Sequence, residues 1–105
     1  MKDLRQFYIN GQWVNPVQAN DLHVENPANE EMVATISLGA AADVESAVAA
    51  AKAAFPVYSK FSVDERIALM EKLLQIYMDR YDEMAAVISM EMGAPISFAS
   101  AAHRR

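Results

Sequence analysis

The spacing of apolar and polar positions changes once along this chain, near residue 40, from a period of two to a period near 3.6. Tyr8, Ile9, Trp13 and Val14 flank Asn10-Gly11. Asn-Gly between β-formers signals a type I′ hairpin, so strands are expected over about 6–9 and 12–14. Asn15-Pro16 ends the second. Leu22-His23-Val24-Glu25-Asn26 alternates and predicts a third strand over about 21–26, closed by Pro27, since the residue before a proline is held extended. Ala28-Asn29-Glu30-Glu31 reads as a turn. Met32 to Leu38 alternates again and predicts a fourth strand over about 32–38, ended by Gly39. The four short strands are expected to be antiparallel.

From Asp43, the residues Val44, Ala47, Val48, Ala51, Ala54 and Phe55 fall on one helical face. That spacing predicts a helix over about 41–55, closed by Pro56. Ser62-Val63-Asp64-Glu65 has the spacing of a capping box and starts a second helix, over about 63–80. Ile67, Met70, Leu73, Leu74, Tyr77 and Tyr81 form its apolar stripe; Lys72, Gln75, Asp79 and Arg80 face solvent. Asp82-Glu83 reads as a fresh acidic first turn, favourable at a helix N-terminus. A break is therefore expected near Arg80, and a third helix over about 82–92. Gly93 is a natural residue just past a helix end, with Pro95 beyond it. A last helix is expected over about 96–102. Short strands followed by three to four helices make an α+β arrangement.

Composition narrows the possibilities. A chain of 105 residues allows one domain at most. The hydrophobic fraction is 53%, but alanine supplies much of it, so the core should be modest. A net charge of −5 argues against nucleic acid or an anionic membrane as partner. No apolar run approaches the ~20 residues of a membrane span. Met1-Lys2-Asp3-Leu4-Arg5 has no apolar stretch behind its basic start, which speaks against a secretory signal. The chain has no cysteine, which fits a cytoplasmic protein. It also removes disulfides, thiolate zinc sites and any cysteine nucleophile.

Most of the distinctive residues have structural readings. Asn26-Pro27-Ala28 reads as a turn fixed by proline, with the asparagine side chain bonding nearby backbone. Trp13 is expected half-buried on its strand, packed on the helices. Met70 and Met84 fall on core stripes, where methionine fills gaps. His23 and His103 are isolated and form no zinc-type spacing. Glu71, Asp79, Asp82 and Glu83 lie on helix surfaces, where solvated charge is the ordinary state. With three glycines in all, there is no Gly-x-Gly-x-x-Gly, P-loop or Gly-x-Ser-x-Gly.

In order and spacing, the motifs resemble the N-terminal region of the NAD(P)-dependent aldehyde dehydrogenase superfamily. The match runs through Tyr8-Ile9-Asn10-Gly11-Gln12-Trp13-Val14, Asn26-Pro27-Ala28, the Ala-rich stretch Ala47 to Phe55, and Glu91-Met92-Gly93-Ala94-Pro95. It spans Tyr8 to about Ala99. The resemblance implies that residues 1–105 form a single incomplete domain, the N-terminal part of a cofactor-binding domain in an α/β enzyme. The family usually has Ser or Thr at the N-cap of the first helix. Here that position is Ala40, so the cap is missing or shifted to another group. In some members the carboxylate before Gly-x-Pro lies near a monovalent cation held by backbone carbonyls. The matching positions are Glu91 and, for one carbonyl, about Val24; carbonyl and carboxylate oxygens suit a hard cation.

The resemblance further implies a parent enzyme that oxidises an aldehyde to a carboxylic acid with NAD or NADP. A cysteine thiolate attacks the aldehyde carbon, hydride passes to the nicotinamide, and a glutamate activates water to release the acid. No catalytic and no cofactor-binding residue is assigned within this chain, and it is expected to bind no cofactor and to be inactive by itself. Its expected partner is the remainder of the aldehyde dehydrogenase chain, with a homo-oligomer at full length. Ile96 to Ala102, an apolar helical pattern where a domain end would be polar, reads as truncation. The alternative is a free-standing helical protein-interaction module, which should finish on a polar cap.

Overall fold

Five strands come first and four helices follow, in a computed structural model that describes residues 1–102. The strands are β1 Lys2–Leu4, β2 Phe7–Ile9, β3 Gln12–Val14, β4 Asp21–Asn26 and β5 Glu31–Ser37. The helices are α1 Ala41–Tyr58, α2 Val63–Asp79, α3 Tyr81–Met92 and α4 Ile96–Ala102. The chain divides into two compact bodies. One is Met1–Val24 with Met32–Lys60; the other is Glu25–Glu31 with the chain from Phe61 onward.

In the first body, β2 and β3 form the expected hairpin, in register Phe7↔Val14, Tyr8↔Trp13 and Ile9↔Gln12. Asn10 and Gly11 both adopt positive φ, 53° and 75°, as a type I′ turn requires. The directly opposed Tyr8 and Trp13 rings lie 5.2 Å apart, tilted by 55°. Trp13 is nonetheless exposed rather than packed on the helices. A two-stranded ribbon offers it one aromatic neighbour on its face, not a sheet.

A second sheet has the order β1-β5-β4. β1 escapes the hydrophobic pattern because Lys2-Asp3-Leu4 carries one apolar residue and all three positions are exposed. It exists because β5, the central strand, offers an edge. β1 pairs with it in parallel, Lys2↔Ala34, Asp3↔Thr35 and Leu4↔Ile36. The expectation of antiparallel strands thus holds for the hairpin, while β1 adds a parallel pairing that needs a long connection. The central position also explains the burial of Ala34, Thr35 and Ser37.

α1 begins at Ala41 as expected but runs through Pro56 to Tyr58. Proline inside a helix removes one N–H and crowds the carbonyl four residues back. At Pro56 less than one turn remains, so the helix continues, and the Ser59 N–H still reaches the Phe55 carbonyl at 2.8 Å. The expected apolar stripe of α1 is largely uncovered: Val44, Val48 and Phe55 are exposed.

In the second body, α2 has the expected capping box. The Glu65 N–H donates to Ser62 Oγ at 3.1 Å and the Ser62 N–H donates to Glu65 Oε2 at 2.7 Å. Replacing Ser62 by alanine is expected to destabilise α2 by about 1 kcal/mol, read as a lower urea midpoint of the helical circular dichroism signal. An unchanged midpoint would show that this cap is not needed. α2 stops at Asp79, and Arg80 (φ −106°, ψ 16°) separates it from α3, where the break was expected. Arg80 then binds Glu83 through two hydrogen bonds of 3.0 and 2.6 Å. α3 and α4 pack together, with Ala85 and Ala99 fully buried. The Tyr81 hydroxyl donates to the Ser100 carbonyl of α4. Met70 and Met84, expected in a core, are instead largely exposed. His103, the isolated histidine of the sequence, lies with Arg104 and Arg105 outside the described residues.

Candidate functional site

The two motifs furthest apart in sequence meet in the second body. Asn26 Oδ1 accepts the Ala28 N–H at 2.9 Å, and the Asn26 carbonyl accepts the Glu30 N–H at 2.8 Å. These bonds fold Pro27 and Ala28 into the tight turn expected of Asn-Pro-Ala. On the other side, α3 ends at Gly93 in the left-handed region (φ 69°, ψ 12°), its N–H bonded to the Ser89 carbonyl at 2.9 Å. Ser89 Oγ donates to the Ala94 carbonyl at 2.6 Å, holding the exit chain toward α4. A Cβ placed on Gly93 would lie 2.9 Å from Pro27 Cγ and 3.5 Å from the Ala28 nitrogen. The Pro27 ring therefore occupies the space a side chain at Gly93 would need. Sequence order alone gives no sign of this contact, because some 65 residues separate the partners.

The two positions matched to a cation site fall in different bodies, Val24 on β4 in the first and Glu91 in the last turn of α3 in the second. The Glu91 side chain is exposed. Among the described residues no group of three or more His, Cys, Asp or Glu side chains gathers as a metal site. The acids Glu71, Asp79, Asp82 and Glu83 are exposed, as expected of solvated charges.

A buried acid that the sequence reading passed over lies in the first body. Asp43, in the first turn of α1, is 6% exposed. Its Oδ2 accepts the Ala40 N–H at 2.9 Å and its Oδ1 accepts the Val17 N–H at 2.9 Å. Asp43 thus supplies the cap that Ala40 cannot, and it ties the segment after β3 to the helix. The available signal was the helix start three residues earlier: an acid at that position is half of a capping box.

The largest cleft of the first body, about 800 Å³, is lined by Arg5, Trp13, Asn15, Asp21 and Ser37 among others. Arg5 binds Asp3 at 2.8 Å and Asp21 at 3.3 Å. The hydrogen bonds from Arg5 hold the Asp3 carboxyl down at about 2. A depressed carboxyl stabilises the fold above its ordinary value and loses that contribution as pH falls toward 2. Both side chains are about half exposed or more, so solvent screening keeps the effect small. Ser37 Oγ is buried beside this cleft with no hydrogen-bond partner among the described residues. No nucleophile–base pair is found here, and the described geometry provides positioning contacts rather than a reaction centre.

Comparison with known proteins gives these contacts a context. The profile of the aldehyde dehydrogenase family matches residues 13–105. A 3-succinoylsemialdehyde-pyridine dehydrogenase from Pseudomonas is 46% identical over 96 residues, which cover 91% of this chain and 20% of that protein. The crystal structure of an aldehyde dehydrogenase from Bartonella henselae superimposes with a TM-score of 0.96 at 48% identity, over 97% of this chain and 21% of that one. An aldehyde dehydrogenase C variant from Pseudomonas syringae, crystallised with NAD+ and octanal, superimposes with a TM-score of 0.90 at 44% identity, over 92% of this chain and 20% of that one. The chain spans about a fifth of the length of the relatives it matches.

Proposed function

The chain belongs to the aldehyde dehydrogenase family, and from that premise we propose that it serves as the N-terminal structural segment of such an enzyme. The carrying observation is the near-complete superposition of this chain on only 21% of the Bartonella enzyme. The parent enzyme oxidises an aldehyde to a carboxylic acid with NAD or NADP. Its nucleophilic cysteine, its water-activating glutamate and its cofactor-binding strands come from sequence beyond this segment, which has no cysteine. The segment's own contribution is architectural. The Asn26-Pro27-Ala28 turn fixes the end of α3, and Asp43 fixes the start of α1.

Within the same reading, the Glu91 carboxylate and the Val24 carbonyl contribute oxygen ligands to a monovalent cation in the full enzyme. Such donors suit a hard cation, and among the described residues Glu91 enters no ion pair that would occupy it. The parent enzyme is cytoplasmic and homo-oligomeric in this proposal. No described helix is long and apolar enough to cross a membrane.

The test is a chimera in which this chain replaces the matched segment of the Bartonella enzyme. NAD-dependent oxidation of an aldehyde panel should survive in the chimera and be absent from the isolated 105-residue chain. A folded but inactive chimera, or turnover by the isolated chain above a heat-treated control, overturns the proposal.

A further inference from the structure

Helix α2 buries none of its residues. Val63, Ile67, Met70 and Leu74 follow one another at i, i+4, i+7 and i+11 along it, which places them in one row. They are between 49% and 62% exposed. Arg66 and Glu71 flank the row, so the patch has an apolar centre and a rim of mixed charge. Patches of this kind on a soluble surface mark places where something else packs.

We propose that this row on α2 is the docking face for the rest of the aldehyde dehydrogenase polypeptide, the part that follows this segment in the longer relatives. The inference rests on the reading under Proposed function and adds a location to it. Two observations choose this occupant. The relatives keep the same backbone over this segment, with a TM-score of 0.96, inside chains of which it is only 21%. About four-fifths of their length is therefore available to cover the row. The rim speaks against a lipid surface: membrane-surface helices carry a basic polar face, whereas this row is bordered by one cation and one anion.

The experiment uses the chimera with the Bartonella enzyme. A photo-crosslinking residue is placed at Met70 or Leu74, with Lys72 on the opposite side of α2 as the control position, and cross-linked peptides are identified by mass spectrometry. Met70 and Leu74 should yield cross-links to peptides of the Bartonella-derived portion, and Lys72 should yield few or none. The Ile67→Asp/Leu74→Asp double variant should lose most of the soluble chimera, while the same pair leaves the helicity of the isolated chain unchanged. Lys72→Ala should alter neither. Cross-links between two α2 rows would make the occupant a second copy and overturn the proposal. So would the absence of cross-links from Met70 and Leu74, or an Ile67→Asp/Leu74→Asp chimera as soluble as its parent. Activity is read separately: an active chimera without the α2 cross-links removes the docking face and leaves the family reading standing. An inactive chimera that still cross-links keeps the docking face and removes the functional reading.

Discussion

Replacing Gly93 by alanine is expected to cost about 2–4 kcal/mol of stability, the sum of two separable effects. The first is conformational. Gly93 sits at φ 69°, and an L-residue with a Cβ pays roughly 1–2 kcal/mol there. The second is steric. The new methyl would lie 2.9 Å from Pro27 Cγ, and a proline ring has no flexible end to swing aside. Forcing a methyl into such a packed spot costs typically about 1–3 kcal/mol. Gly11 is the internal control, because it has φ 75° and nothing within 4 Å of its would-be Cβ. Gly11→Ala should therefore show the conformational part alone. Urea unfolding of the two variants, with the slope unchanged, separates the terms. Pro27→Ala combined with Gly93→Ala should recover part of the loss, since touching residues do not add independently. Equal midpoints for the Gly11 and Gly93 variants would mean that the Pro27 contact is not tight.

Asp43→Ala is expected to be of similar size, about 2–4 kcal/mol, for a different reason. The carboxylate accepts two backbone N–H groups, from Ala40 and Val17, each at 2.9 Å. Its removal takes away a helix cap, usually worth about 0.5–2 kcal/mol. It also leaves the part-buried Val17 N–H without its acceptor, at a further cost of about 1–3 kcal/mol. Asp43→Asn should fall between, because its amide oxygen can serve one N–H while its amide nitrogen faces the other donor. The comparison with Ser62→Ala is informative. Ser62 is an exposed cap with a single role, so its loss should be smaller than that of Asp43. If Asp43→Ala melts within the error of Ser62→Ala, the Val17 bond contributes nothing. Loss of exchange protection at the Val17 amide in Asp43→Ala would identify the bond directly.

The elements that the sequence announces are those whose signals are local. Asn10-Gly11 needs only its own backbone freedom to make a turn, and both residues take the positive φ expected of them. Ser62 and Glu65 satisfy each other within one helical turn. The break at Arg80 follows from an acidic pair restarting a helix, and Gly93 ends α3 as a residue without Cβ should. Asn26-Pro27-Ala28 folds back on itself as read. The family resemblance rests on these same local motifs.

What the sequence does not announce depends on partners far along the chain. β1 is polar and exposed, and only the free edge of β5 makes it a strand. Pro56 lies inside α1 because its position near the helix end spares the bonds it would otherwise break. Trp13, Met70 and Met84 have the character of core residues, yet they are exposed. Periodicity states which face of an element is apolar, but not whether another element covers it. Asp43 is the converse case: an acid that reads as surface is buried because the Val17 backbone comes to it from outside the helix.

By itself, then, the sequence determined the period of each element, the turns, the caps held within one turn, and the family. Each of these is set by backbone preferences and side chains within a few residues. The tertiary structure alone decided the parallel partner of β1, the burial of Asp43 and the seat of Pro27 against Gly93. Those depend on which distant segments come together, and a contact across dozens of residues leaves no periodic trace in the chain that makes it.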